Sequence, residues 1–190
     1  MRTDSTDNQD MSRYRRSTTH GATFFFTLNT FRRKPILLHD QVRAALRDGL
    51  KEVHSRLPFA IHAWVLLPDH LHCIWQLPPG DAAFGLRWGQ VKRHVTRACG
   101  SELDGLPLPT ASRKQRHEGA LWQRRFWEHQ IRDEADFMRH VDYIHWNPVK
   151  HGYVRQAAEW PYSTFHRYVR SGVYAEDWGG ISDTSGGFGE

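Results

Sequence analysis

The chain has 190 residues and a mass of 22.2 kDa, a length that suits one domain with a single sizeable core. No apolar run approaches the roughly 18 residues of a membrane span, and the polar opening Met1-Arg-Thr-Asp-Ser-Thr-Asp-Asn-Gln-Asp10 lacks the apolar segment of a secretory signal, so neither a membrane-spanning nor an exported protein is expected. The net charge of +5 is unevenly spread, at −2 on residues 1–12 and −4 on residues 171–190, which leaves +11 on residues 13–170 and points to a polyanionic partner, nucleic acid first.

Residues 1–12 read as a disordered tail, being polar and almost free of large apolar side chains. The basic stretch Arg13-Tyr14-Arg15-Arg16 follows. Ala22-Thr-Phe-Phe-Phe-Thr-Leu-Asn-Thr30 then predicts a strand buried on both faces at its centre. Asp40 is placed to cap a helix running to about Arg56, with Val42, Leu46, Leu50 and Val53 as one apolar stripe. Ala60–Leu67 and His70–Leu77 predict a hairpin joined by Pro68-Asp69. Asp81 to Ala98 predicts a second helix carrying Arg87, Lys92, Arg93, His94 and Arg97. Residues 100–119 read as a polar connecting loop. Phe126 to Ile131 predicts a further strand, and Asp133 caps a helix with Phe137, Val141 and Ile144 inward, stopped by Pro148. The chain ends in an acidic, Gly-rich tail over 171–190. The order β-α-β-β-α-β-α predicts an α+β domain over 13–170 in which helices pack on an antiparallel sheet.

His70-Leu-His72 falls on the second hairpin strand. Side chains two apart project to the same face, so the two imidazoles can chelate one divalent cation. A third ligand is offered by Tyr143-Ile-His-Trp-Asn147, where Tyr143 and Asn147 sit one helical turn apart. Two imidazoles and an amide oxygen leave open positions suited to Mg²⁺ or Mn²⁺ and phosphate oxygens. The cysteines, Cys73 and Cys99, are too few for a disulfide scaffold, fit a reducing cytoplasm, and offer no closed zinc cage. Arginines interleaved with aromatics, in Trp122-Gln-Arg-Arg-Phe-Trp127 and Phe165-His-Arg-Tyr168, suit stacking on unpaired bases beside phosphate contacts.

Taken in order, Tyr14-Arg-Arg16, Gly21-Ala-Thr-Phe-Phe-Phe-Thr27, Leu67-Pro-Asp-His-Leu-His72, Leu121-Trp-Gln-Arg-Arg-Phe-Trp127 and Tyr143-Ile-His-Trp-Asn-Pro-Val-Lys150 resemble the REP-associated tyrosine transposases, a branch of the HUH single-tyrosine transposases. Trp160-Pro-Tyr-Ser-Thr-Phe-His-Arg-Tyr-Val169 and Asp177-Trp-Gly-Gly180 resemble the family's ending, so the likeness spans about residues 13 to 180. It implies a ferredoxin-like palm, a divalent cation on His70, His72 and Asn147, and Tyr143 as nucleophile. It also implies a substrate of single-stranded DNA folded into imperfect hairpins, the repetitive extragenic palindromes. The Arg13, Arg15 and Arg16 region matches the part that guides a tetranucleotide at the hairpin foot. Charge alone adds Arg113, Lys114 and Arg116 as DNA contacts; Arg124 and Arg125 join them from the arginine–aromatic stretch, and Lys150 is placed to approach the scissile phosphate. The resemblance implies a monomer, fully mobile relatives acting as dimers, and a cytoplasmic, nucleoid-associated protein.

In that chemistry the tyrosine becomes joined to a 5′ phosphate and a 3′ hydroxyl is freed, so rejoining needs no ATP. The alternative is a hairpin-binding protein with little or no cleavage. Either way, phosphate neutralisation by the basic segment dictates that affinity for hairpin DNA falls steeply between two salt concentrations; a flat response in a filter-binding titration would exclude a basic groove.

Overall fold

The structure, a computed structural model, describes residues 17–99 and 121–180. Four antiparallel strands form one sheet: β1 (Thr23–Asn29), β2 (Ala60–Leu66), β3 (His70–Gln76) and β4 (Trp127–Gln130), in the order β2-β3-β1-β4. Between them run α1 (Asp40–Arg56) after β1 and α2 (Phe84–Cys99) after β3; α3 (Glu134–Lys150) and the short α4 (Phe165–Arg170) follow β4. This is the expected α+β, ferredoxin-like arrangement. No described helix is long and apolar enough to cross a membrane.

The sheet is covered on both faces, and the alternation of its side chains decides what each helix meets. Phe24, Phe26, Leu28, Leu71, Cys73 and Trp75 pack against α1 and α2, where Trp75 stacks on Trp88 at 3.9 Å. Phe25, Ala63, Val65 and Ile74 face the other way and pack against Val141 and Ile144 of α3. Three consecutive phenylalanines are therefore all buried because two cores need them. The outer edge of β2 is closed by residues 160–164: Leu66 N–H donates to Tyr162 O and Thr164 N–H to Trp64 O, both at 2.9 Å.

Several boundaries differ from the sequence-based expectation, each for a local reason. His39, not Asp40, is the N-cap of α1, and it makes no side-chain cap; Asp40 is the first helical residue and pairs with Arg43 one turn on. α2 starts at Phe84 rather than Asp81, because Asp81 accepts from Ala83 N–H at 2.6 Å and from Arg87 at 2.9 and 2.6 Å, holding a turn before the helix. Pro148 does not stop α3. The bond its missing N–H would make belongs to the last turn, and the helix runs on to Lys150, ending at His151 and at Gly152 with φ +70°. Asp133 caps α3 as expected, accepting from Asp136 N–H at 2.7 Å.

The folded unit also passes residue 170, where the sequence reading placed the start of the tail. Tyr174 is buried and stacks on Trp178 at 4.4 Å and on Phe165 at 5.6 Å, so these two rings of the segment 171–180, Tyr174 and Trp178, join the second core. The expected tail over 1–12, the connecting loop over 100–119 and the final residues 181–190 lie outside the described residues.

Arg87 is fully buried, paired with Asp81, and also donates to Leu57 O at 3.1 Å and Pro58 O at 2.9 Å. Removing it strands two carbonyls and a carboxylate together. Arg87→Ala is expected to cost about 2–4 kcal/mol in urea denaturation; a loss below 0.5 kcal/mol, on the order of an exposed pair, would show that this anchor contributes nothing.

Candidate active site

His70 and His72 project from β3 onto the α3 side of the sheet, with ring centroids 4.9 Å apart and planes at 86°. Each ring has one nitrogen committed. His70 Nδ1 lies 2.7 Å from Asp69 Oδ1; a carboxylate only accepts, so the proton sits on Nδ1 and Nε2 keeps its lone pair. His72 Nδ1 lies 2.8 Å from the hydroxyl of Thr27, which is directly opposite it in the β1–β3 register. With Thr27 accepting from Nδ1–H, His72 likewise offers Nε2, and that atom is buried with no hydrogen-bond partner. Burial pushes the pKa of His72 well below its ordinary value. It also lowers that of His70, partly offset by the bond from Asp69, so both rings are neutral near pH 7.

Tyr143 is carried to this pair by α3. Its ring lies 5.2 Å from that of His72 and 6.0 Å from Phe25, and the Lys150 ammonium stands 5.1 Å over it. At the end of the helix the His151 ring lies 5.2 Å from that of His70. Tyr143, Asn147 and His151 follow one another at four-residue spacing, so Asn147 falls on the stripe between contacts to His72 and to His70. Asn147 is fully buried, and neither its amide oxygen nor its amide nitrogen has a partner. A buried amide left so costs stability unless something outside the chain binds it. Two imidazole nitrogens with fixed partners behind them, and an orphaned amide oxygen, are a donor set that fits a divalent cation.

The remaining expected residues divide. Arg124 and Arg125 are exposed, just before β4, in a segment that Lys92 Nζ holds by Gln123 O at 2.5 Å. Arg13, Arg15, Arg16, Arg113, Lys114 and Arg116 lie outside the described residues. The aromatic–arginine stretches are mostly structural: Trp122, Phe126 and Phe165 enter the cores, and Arg167 donates to the carbonyl of His62. Trp127 alone among the aromatics of its stretch is exposed.

His145 points away from Tyr143, as its helical position predicts. It is buried, 2.9 Å from the Thr164 hydroxyl, which sits 3.2 Å from Trp64 O as its donor. Sequence reasoning assigned no role at the site to Thr27, Asp69, Arg33 or His151. Asp69, next to His70, was a visible signal; Thr27 needed the strand register. Arg33 Nε reaches Asp69 Oδ2 at 2.7 Å from a 3-10 turn in which Arg32 and Arg33 hold φ of 57° and 54°, a region non-glycine residues seldom adopt.

A second gathering of ligand-type side chains is His129, Asp136 and His140. Here the carboxylate is already engaged by His129 Nε2 at 2.8 Å, Arg132 N–H at 3.1 Å and the Arg139 guanidinium at 3.3 Å. Burial alone would raise the Asp136 pKa, but these bonds hold it well below the carboxylate range. With two arginines beside it the group reads as an ion-pair cluster tying β4 to α3.

No family model matches the chain. Its likeness to individual proteins is extensive. A REP-associated tyrosine transposase of Escherichia coli K12 is 46% identical over 178 residues, covering 93% of this chain and 97% of the relative. A Haemophilus influenzae Rd protein assigned to the same group is 42% identical over 180 residues, covering 91% and 96%. A solved structure of a REP-associated tyrosine transposase bound to a REP hairpin matches with a TM-score of 0.75 at 46% identity, over 93% of this chain and 97% of that one. The fold and these relatives define a transposase-type protein. The chain belongs to the REP-associated tyrosine transposases.

Burial drops the His145 pKa from 6.5 to about 3. Between those values the unfolded chain binds a proton that the folded chain refuses, so stability is full above pH 6.5 and falls as pH drops toward 3. By pH 5 this one residue is expected to cost about 2 kcal/mol, and His140, also lowered by burial, acts with the same sign. Melting temperature measured from pH 7 to 5 should fall, and less so in His145→Gln; an unchanged slope in that variant would remove His145 from the account.

Proposed function

We propose that this protein binds REP-type DNA hairpins and cleaves and rejoins single-stranded DNA through a 5′-phosphotyrosine formed on Tyr143. The observation that carries this reading is the 5.2 Å contact between the Tyr143 ring and His72, whose buried Nε2 has no other partner. The DNA hairpin as partner rests on the related protein solved with a REP hairpin.

His70, His72 and Asn147 would hold Mg²⁺ or Mn²⁺. Such a cation polarises a phosphate and offsets the charge that develops on it during displacement. The chain's own residues do the rest. Asp69 and Thr27 fix the two imidazoles in rotamer and tautomer. The Tyr143 phenol oxygen forms a bond to phosphorus while the bond from phosphorus to the 3′ oxygen breaks. The phenolic proton is released to solvent and a proton returns to the departing 3′ oxygen. One phosphodiester is exchanged for another, so the reverse attack by a 3′ hydroxyl reseals the strand without an external energy source. Lys150, over the phenol ring, places positive charge where the phenolate and phosphate develop theirs. Phe25 lies edge-on to the ring at 6.0 Å. His145 takes no part, being bonded to Thr164 on the far side of the helix.

Labelled single-stranded DNA carrying a REP hairpin should yield a protein–DNA adduct that survives denaturation. Tyr143→Phe should abolish it while leaving hairpin affinity within about threefold, and His70→Ala or chelator should lower adduct formation by at least two orders of magnitude. Equal cleavage by Tyr143→Phe would unseat the nucleophile. Binding without cleavage by either protein would make this a hairpin-binding protein instead.

A further inference from the structure

The described residues include four large apolar side chains that are well exposed: Leu86, Trp127, Tyr153 and Val173. Two of them are aromatic, and a series of ring contacts that runs along the histidine pair and borders Tyr143 joins them. Trp127, 51% exposed, is on β4 opposite Thr27 and so shares the site face of the sheet. Its ring lies edge-on to Phe25 at 5.6 Å and stacks on His129 at 5.9 Å with planes 9° apart. His129 in turn stacks on His140 at 4.6 Å. Phe25 leads to His72 at 5.4 Å, and His72 to His70. From His70 the series continues to His151 and then to Tyr153, 5.9 Å further on and 44% exposed. Tyr153 is braced from behind by Trp160, stacked at 5.5 Å.

Each of these exposed rings is braced by another ring behind it, Trp127 by Phe25 and Tyr153 by Trp160, so neither is a loose surface residue. Rings held rigid with one side free are what an unpaired base stacks on, and the preference is nearly independent of base identity. Between them, the Lys150 ammonium over Tyr143 supplies charge of the sign a phosphate backbone needs. We infer that Trp127 and Tyr153 are base-stacking platforms at the two ends of the site, gripping unpaired nucleotides on either side of the phosphate presented to Tyr143. This deepens the function proposed above and rests on it for the identity of the strand. The ligand is single-stranded DNA next to the hairpin, and the platforms set its path across the sheet, not its sequence.

The test uses the full chain with Tyr143→Phe, so that the strand stays intact, and a REP-hairpin oligonucleotide carrying 2-aminopurine at successive unpaired positions. Stacking should quench the probe at two positions separated by the cleavage point. Trp127→Ala should restore fluorescence at one of them and Tyr153→Ala at the other, each weakening binding about 5- to 150-fold. Trp127→Phe and Tyr153→Phe should keep most of the quench, and Leu86→Ala, on the opposite side of the sheet, should change nothing. Affinity within twofold of the parent and an unaltered quench in both alanine variants would overturn the inference. The adduct assay on the unsubstituted protein reports separately on the chemistry. If no adduct forms but the quench still depends on Trp127 and Tyr153, the platforms stand and the cleavage reading falls; if an adduct forms without that dependence, the reverse holds.

Discussion

Everything at the site depends on how α3 lies on the sheet. Val141 and Ile144 pack against Phe25, Ala63, Val65 and Ile74, and that contact fixes the rotation of the helix about its own axis. Turned by one residue, roughly 100°, the same helix would bury Tyr143 or present it to solvent. In the packed orientation the stripe through Tyr143, Asn147 and His151 lies along His72 and His70, and His145 is carried to the other side, against Thr164. The nucleophile is aimed by apolar packing that itself takes no part in chemistry.

The histidine pair is rigid for a different reason. A single strand sets the spacing of the rings, but their tilt and tautomer come from neighbours on two sides. Asp69 is supplied by the hairpin turn and Thr27 by the adjacent strand. The turn is itself tied down, because Leu37 N–H donates to Pro68 O at 2.8 Å and Arg33 reaches Asp69. The left-handed backbone at Arg32 and Arg33 is the local strain that brings the guanidinium there, offset by these bonds. Burial then keeps both imidazoles neutral, the form in which they can donate a lone pair.

The sheet divides its labour by face. One face, under α1 and α2, is mainly apolar and aromatic, with the buried Glu128 opposite Phe26, and supplies most of the core. The other keeps its apolar contacts toward α3 and gives the rest of its area to imidazoles, a threonine, a phenol and exposed rings. The edges are treated unequally too. β2 is covered by the chain after α3, whereas β4 carries the exposed Trp127 beside the site. A nucleic-acid strand crossing toward Tyr143 would meet aromatic and cationic groups along the second face.

Much of this was legible in the amino-acid order. Runs of β-branched and aromatic residues broken at Pro68-Asp69 marked the strands, the apolar stripe marked α1, and Asp133 marked the start of α3, because these signals are local and each follows from the geometry of its own element. His70 and His72 could be assigned to one side of a strand for the same reason. What no spacing could reveal was that Thr27 stands opposite His72, that Asp69 gathers both His70 and Arg33, or that Trp127 is open to solvent while Trp122, five positions before it, is buried and Phe126, one position before it, is half-buried. Nor could it show that Tyr174 and Trp178, in a segment rich in glycine and acid, complete the second core. Those facts depend on strand register and on which face of the sheet each segment covers, and these are settled only when distant parts of the chain compete for the same buried area.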